Sequence, residues 1–94
     1  MDKAEAQSLI EKELARDQNS HQPIDVVVLE KETIERDWGW VFFYQSKKYM
    51  ETGNFRDGLA GNAPYIVNRK SGQITLTGTA HPIEHYIHEY EQSL

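Results

Sequence analysis

The chain lacks cysteine and long apolar runs, and each absence excludes a class of protein. Without cysteine there is no disulfide framework, no thiol nucleophile and no thiolate zinc site. The N-terminal segment MDKAEAQSLIEKELARDQ contains no apolar run long enough for a signal peptide or a membrane span. The sequence therefore predicts a cytoplasmic protein that does not associate with a membrane.

Basic residues are outnumbered, with 10 Lys and Arg against 15 Asp and Glu and a formal net charge of −5. A nucleic-acid partner is not expected, because affinity for phosphates requires a basic patch. An acidic surface favours rapid capture of a basic partner, and it also favours solubility. The charge is equally compatible with both explanations.

Motifs of reactive centres are also missing. The serines have no G-x-S-x-G context, and the glycines match neither the phosphate-loop nor the dinucleotide pattern. Acidic groups such as Glu30, Glu32 and Glu35 occupy surface-patterned positions, whereas acid–base catalysis needs two carboxylates in contrasting environments. We expect neither an enzyme nor a cofactor.

Three histidines, His81, His85 and His88, fall on one face of the last predicted helix. Spacings of three and four residues can bring two imidazoles to one ion. No cysteine or aspartate joins them, so a solvated helix face is the preferred interpretation and no metal site is predicted. A small metal-dependent enzyme is one of three functional hypotheses, and it depends on this histidine face alone.

Size and patterning indicate one α+β domain, residues 1–94, with a four-stranded, mainly antiparallel sheet flanked by an N-terminal and a C-terminal helix. The first helix is capped by Asp2 with Glu5 and carries an apolar arc. The members of that arc are Ala6, Leu9, Ile10 and Leu14. The predicted strands are 24–35, 40–45, 64–68 and 73–77. The last helix is predicted to begin near Pro82, which suits a first helical position, and to carry the apolar stripe Ile83, Tyr86, Ile87, Tyr90 and Leu94.

Aromatic residues concentrate in one segment, with six of the ten between Trp38 and Tyr49. In strand 40–45, Trp40, Phe42 and Tyr44 share one face and the apolar residues between them share the other. Both faces are apolar, which predicts a central strand covered on both sides.

The next segment, 47–61, is predicted to be a long irregular connection containing three glycines. It ends in Gly61-Asn62-Ala63-Pro64, where Gly61 would have a positive φ, Asn62 would bond its own backbone and Pro64 would rigidify the start of a strand. This turn is expected to fix the loop to the sheet. The other structural motif positions are Gly39 and Trp40 at the hairpin and Gly72, in the left-handed position of the loop 69–72.

Several of these motifs together resemble a known family. They are Gly39-Trp40-Val41-Phe42 with Tyr44, Tyr49, Thr52-Gly53, Ala60-Gly61-Asn62-Ala63-Pro64, Val67, Gly72, Gly78-Thr79, Pro82 and Tyr86-Ile87-x2-Tyr90. In order and spacing they are similar to the bacterial immunity proteins of the "immunity protein 35" type, over about two thirds of the chain. The resemblance implies binding and neutralisation of a toxin delivered between competing bacteria. It supplies no catalytic residues.

A binding role predicts contact residues outside the core pattern. Trp38 at the hairpin turn and Phe55 in the loop are the apolar residues that the core requires least. The predicted partner-binding residues are Trp38, Tyr49, Phe55, Arg56 and Asp57, although Trp38 and Phe55 could equally fold back over the sheet edge. The alternative function is a general client-binding, chaperone-like protein, and the oligomeric state is left open.

Overall fold

The computed structural model describes residues 1–16, 26–54, 56 and 62–94. These residues form an α+β fold with an N-terminal and a C-terminal helix and two antiparallel sheets, which confirms the predicted fold class. The helices are α1 (Lys3–Arg16), α2 (Lys47–Thr52) and α3 (Ile83–Ser93); the strands are β1 (Val26–Val28), β2 (Ile34–Arg36), β3 (Gly39–Phe42), β4 (Tyr44–Ser46), β5 (Tyr65–Asn68) and β6 (Ile74–Leu76). None of the described helices is long and apolar enough to span a membrane.

The larger sheet has the strand order β2-β3-β5-β6, and every neighbouring pair is antiparallel. β3 lies in its interior, as its two apolar faces predict, and all four of its residues are buried. β1 and β4 form a separate two-stranded sheet, in which Val27 lies opposite Gln45.

Two of the predicted strands are each divided in the structure. The described part of strand 24–35 gives β1 and then β2, which belong to different sheets, and residues 24 and 25 lie outside the described residues. A 3-10 turn, Glu30–Glu32, separates them, closed by a hydrogen bond from Glu32 N to Leu29 O. Its charged residues are exposed, and such residues are poor strand formers. The predicted strand 40–45 likewise divides at Phe43, which lies between β3 and β4. The carbonyl oxygen of Phe43 accepts a hydrogen bond from the N–H of Leu29.

Helix α1 covers one face of the larger sheet. Asp2 Oδ1 accepts a hydrogen bond of 2.8 Å from Glu5 N, which is the predicted N-cap. The predicted apolar arc then packs inward, because residues three and four apart share a helix face. The buried cluster on this face comprises Ala6, Ile10, Leu14, Trp40, Phe42, Tyr65 and Val67, with Leu9 and Tyr44 partly buried against it.

Helix α3 covers the opposite face, where Ile87 packs on Val41 and Ile66. Partly buried residues complete this cluster: Ile34, Trp38, Phe43, Ile83 and Tyr90. Two details of the predicted helix are wrong. Leu94 follows the last helical residue and is 66% exposed, so it leaves the apolar stripe. Pro82 is the N-cap in an extended conformation, and the first helical residue is Ile83.

The connection after β4 is not irregular throughout, because residues 47–52 form helix α2. Ser46 Oγ accepts a hydrogen bond of 3.3 Å from Tyr49 N at its start. Gly53 ends the helix with φ 69° and donates from its N–H to Tyr49 O. A serine before the segment and a glycine after it are helix-boundary signals that the prediction did not use. Residues 55 and 57–61, including Gly58 and Gly61, lie outside the described residues.

Candidate protein-binding site

The predicted turn before β5 connects three strands. Asn62 Nδ2 donates a hydrogen bond of 2.7 Å to the carbonyl of Tyr44, and the Tyr44 hydroxyl donates one of 2.9 Å to Ala63 O. Pro64 O accepts from both the N–H and the hydroxyl of Thr77, at 3.0 and 2.6 Å. The side-chain hydrogen bond of Asn62 is therefore long-range, whereas the prediction was a local bond to its own backbone. Through these contacts β4, the start of β5 and the end of β6 are held together.

Two glycines of the motif stand at positions that require glycine. Gly39 has φ 155° and packs so closely on β5 that a Cβ there would overlap the carbonyl oxygen of Val67. Gly72 has φ 72° in the loop between β5 and β6. Trp40, the neighbour of Gly39, is 1% exposed.

Trp38, first among the predicted partner-binding residues, is half-buried against α3. Its ring centroid lies 4.7 Å from that of Tyr90, and its Nε1 donates a hydrogen bond of 3.0 Å to a carboxylate oxygen of Glu91. Asn68 Nδ2 donates to the Tyr90 hydroxyl at 3.0 Å, which extends the contact to β5. Trp38 thus attaches the β2–β3 turn to the C-terminal helix, and only part of its surface is open to a partner.

The other described contact candidates lie in and just after α2. Tyr49 is half-buried, and Arg56 is exposed and donates its backbone N–H to Asn54 Oδ1 at 3.0 Å. Phe55 and Asp57 lie outside the described residues. Trp38, in the turn between β2 and β3, and Tyr49, in α2, therefore lie on different elements of the fold.

Arg69 organises a polar cluster beside β2. Its guanidinium lies 4.4 Å from the ring centroid of Trp40 and 2.9 Å from a carboxylate oxygen of Glu35. It also donates to the backbone carbonyls of Arg36 and Asp37. The hydrogen bond and charge of Arg69 hold the pKa of Glu35 below its ordinary value. These contacts stabilise the hairpin and leave Arg69 little freedom to serve a ligand.

The histidine face is only partly assembled. The rings of His81 and His85 are 4.1 Å apart, and His85 Nε2 lies 2.7 Å from a carboxylate oxygen of Glu89. Tyr86 OH accepts hydrogen bonds from Ala80 N and His81 N. Among residues 1–16, 26–54, 56 and 62–94, no group of three or more His, Cys, Asp or Glu side chains is arranged to hold a metal ion.

A groove between β6 and α3 was not predicted from the sequence. Its volume is about 210 Å³, and its lining residues are Ile66, Thr75, Leu76, Thr77, Tyr86, Glu89, Tyr90 and Ser93. Leu76 at its rim is 58% exposed. No Lys or Arg occurs in the sequence from Gly72 to Leu94, whereas that segment carries three glutamates. This charge asymmetry was the available signal, but assigning it to one groove requires the packing of α3 on the sheet.

Sequence comparisons place these features in a family. The model of the family "Immunity protein 35" matches residues 4–92. An uncharacterised protein of Escherichia coli strain K12, YrhB, is 45% identical over 53 residues. That match covers 56% of this chain and 56% of YrhB, so the similarity spans little more than half of either protein. No solved structure matches the chain. Since the family model covers nearly the whole sequence, the chain belongs to the immunity protein 35 family.

Proposed function

We propose that this protein neutralises a cognate bacterial toxin by binding it stoichiometrically, without a chemical step. The observation that carries the proposal is the family match over residues 4–92. Binding alone is sufficient for such a role, because a partner that covers or distorts a toxin's active site stops its activity. Cytoplasmic localisation belongs to the same proposal, since the toxin would be met inside the protected cell.

The charge distribution supports a basic partner. The net charge is −5, and the exposed side chains of α3 include Glu84, Glu89 and Glu91 with no lysine or arginine among them. Complementary charge accelerates diffusional encounter and excludes partners of like charge. An immunity protein benefits from a high association rate, because the toxin acts until it is bound.

The predicted contact residues extend the proposal to particular side chains. Tyr49 and Arg56 provide an aromatic group and a guanidinium, both types that are enriched at energetically important interface positions. Trp38 is a further candidate through its remaining exposed surface. Phe55 and Asp57 complete the predicted set.

The test takes the genes that neighbour the gene for this protein and first asks whether the product of any of them is toxic to cells. Co-expression is expected to restore growth of cells that produce the toxin, and the purified pair should elute as one complex of fixed stoichiometry. Continued toxicity at equal expression, with no complex on a sizing column, would contradict the proposal.

General client binding is the alternative, and it predicts a different result. A chaperone-like protein would suppress the aggregation of several unrelated unfolded proteins and form no complex of fixed stoichiometry. We expect light scattering of heated test proteins to be unchanged when the chain is added.

A further inference from the structure

Among the described residues, the backbone hydrogen-bonding groups on the outer edge of β6 have no partner. Asn68 N donates to Gln73 O, and Thr77 N donates to Pro64 O. Antiparallel partners alternate between bonded and non-bonded pairs, so residues 73, 75 and 77 direct their backbone groups to β5. The N–H and C=O groups of Ile74 and Leu76 therefore point away from the sheet. No strand of the described chain lies on that side.

The two edge strands of the larger sheet, β2 and β6, differ in how strongly their residues discourage pairing with another strand. β2 carries the exposed charged residues Glu35 and Arg36, and charge on an edge strand discourages pairing. β6 has the sequence Ile-Thr-Leu with glutamine before it and threonine after it, and none of these residues is charged. An uncharged edge with free donors and acceptors can accept another strand.

The side chains of β6 define what such a strand would contact. Thr75 lies opposite Ile66 and therefore on the face covered by α3, beside the groove that Glu89 lines. Leu76 lies opposite Tyr65, on the face covered by α1, and is 58% exposed. Alternate residues of an added strand would thus face Glu89 on one side and Leu76 on the other.

We propose that β6 is the site at which the partner toxin adds an extended segment to the sheet, with basic side chains facing Glu89 and apolar side chains beside Leu76. This rests on the proposed function, and it specifies the site and the chemistry of the partner. Basic residues fit because Glu89 is the charged side chain among the described residues that line the groove, and no lysine or arginine occurs in the sequence from Gly72 to Leu94. His85 already contacts Glu89 at 2.7 Å, so a basic side chain would share that carboxylate with it.

A direct test uses a short synthetic peptide that alternates lysine and valine. In amide-resolved NMR, addition of the peptide is expected to shift the Ile74 and Leu76 N–H signals most strongly and to slow their hydrogen exchange. A peptide that alternates glutamate and valine should leave them unchanged. The proposal is overturned if the lysine peptide perturbs other surfaces and not β6, or if both peptides act alike.

Variants test the same site with the toxin. Leu76→Pro removes one outward N–H while keeping the bonds to β5, because proline is tolerated where the donor faces away from the sheet. Leu76→Lys adds a repelling charge and avoids any strain from proline. The matched control is Ser8→Lys, which adds the same charge at an exposed position of α1, outside the groove and away from the predicted contact residues in sequence.

The expected result is a loss of toxin affinity of at least about tenfold for both Leu76 variants and little change for Ser8→Lys. Wild-type affinity in both Leu76 variants would overturn the β6 site and leave the proposed function intact. If the wild-type protein itself neither binds nor neutralises the toxin, the proposed function fails, and the peptide experiment still decides whether β6 accepts a basic strand. A dimer of the free chain that Leu76→Lys dissociates would identify a second copy as the occupant and overturn the toxin assignment.

Discussion

The side-chain amide of Asn62 donates a hydrogen bond of 2.7 Å to the backbone carbonyl of Tyr44. Since β4 pairs with β1 and Asn62 leads into β5, this bond connects the two-stranded sheet to the four-stranded one. The Tyr44 hydroxyl donates to Ala63 O and so links the same two segments a second time. The Asn62-Ala63-Pro64 turn thus connects the two sheets through side-chain hydrogen bonds and not through strand pairing.

Asn62→Ala is expected to destabilise the fold by about 1 kcal/mol, because it removes a part-buried hydrogen bond and leaves the Tyr44 carbonyl without that donor. In a domain of this size the melting temperature should fall by about 4–8 °C. Asn54→Ala is the matched control, since Asn54 makes exposed local bonds near α2. Equal melting temperatures for the two variants would contradict the conclusion that the hydrogen bond of Asn62 stabilises the connection between the two sheets.

Trp38 is expected to contribute to stability through α3. Trp38→Phe retains an aromatic ring and loses the hydrogen bond to Glu91, for an expected loss of about 0.5–1 kcal/mol in urea unfolding. Trp38→Ala also loses the packing on Tyr90, for about 2 kcal/mol. A double-mutant cycle of Trp38→Phe with Glu91→Ala, which removes the acceptor, should show coupling. Additive effects would mean that the bond does not form in solution.

Glu35 predicts a specific pH dependence. Arg69 lowers the pKa of this carboxyl in the folded state, so the unfolded state binds the proton more tightly. The resulting stabilisation is present above the ordinary glutamate pKa, about 4.3, and is lost as the pH falls through the lower pKa of the folded state. Glu35→Gln should therefore be less stable than the wild type near pH 7, and the difference should diminish at about pH 3. Glu32→Gln at an exposed position removes the same charge and is the control for net charge. The same dependence of stability on pH in both variants would contradict the effect of Arg69 on Glu35.

Gly39→Ala is expected to abolish folding or to cost more than about 4 kcal/mol, because the new Cβ would overlap the Val67 carbonyl at a positive φ. Gly53→Ala is the matched control. Gly53 also has a positive φ, 69°, but a Cβ added there would meet no atom of the described residues within 4 Å apart from its own chain neighbours. Its cost should be the intrinsic one of about 1–2 kcal/mol. Circular dichroism and thermal melts of the two variants measure the difference, and similar stabilities would show that β3 and β5 separate easily.

The histidine face provides a fifth test. Zinc titrated near pH 7 is expected to bind only weakly, and His85→Ala and His88→Ala should change the heat of binding little. Tight, saturable binding that either substitution abolishes would revive the metal-dependent hypothesis. Without added zinc, the contact between His85 and Glu89 should persist, and the NMR signals of the His85 imidazole ring should report it.

Local sequence patterns were sufficient to predict the α+β class and most of the elements. The apolar periodicities of 3.6 and two residues are local properties, so they identified α1, α3, β5 and β6 before any contact was known. Alternation also assigned Trp40 and Phe42 to one face of β3 and Val41 to the other. Burial on a pleated strand follows from side-chain direction, which every second residue shares.

How those elements combine depends on long-range packing. The segment before Asp37 was predicted to be one strand, but its described residues divide into β1 and β2 because they pair with different partners, β4 and β3. Strand pairing depends on long-range hydrogen bonds, which local composition does not encode. For the same reason the sequence offered only the alternative that Trp38 folds back over the sheet edge, and neither its contact with α3 nor the groove between β6 and α3 was predicted. A sequence shows which residues are apolar or charged, whereas the fold determines which of them meet.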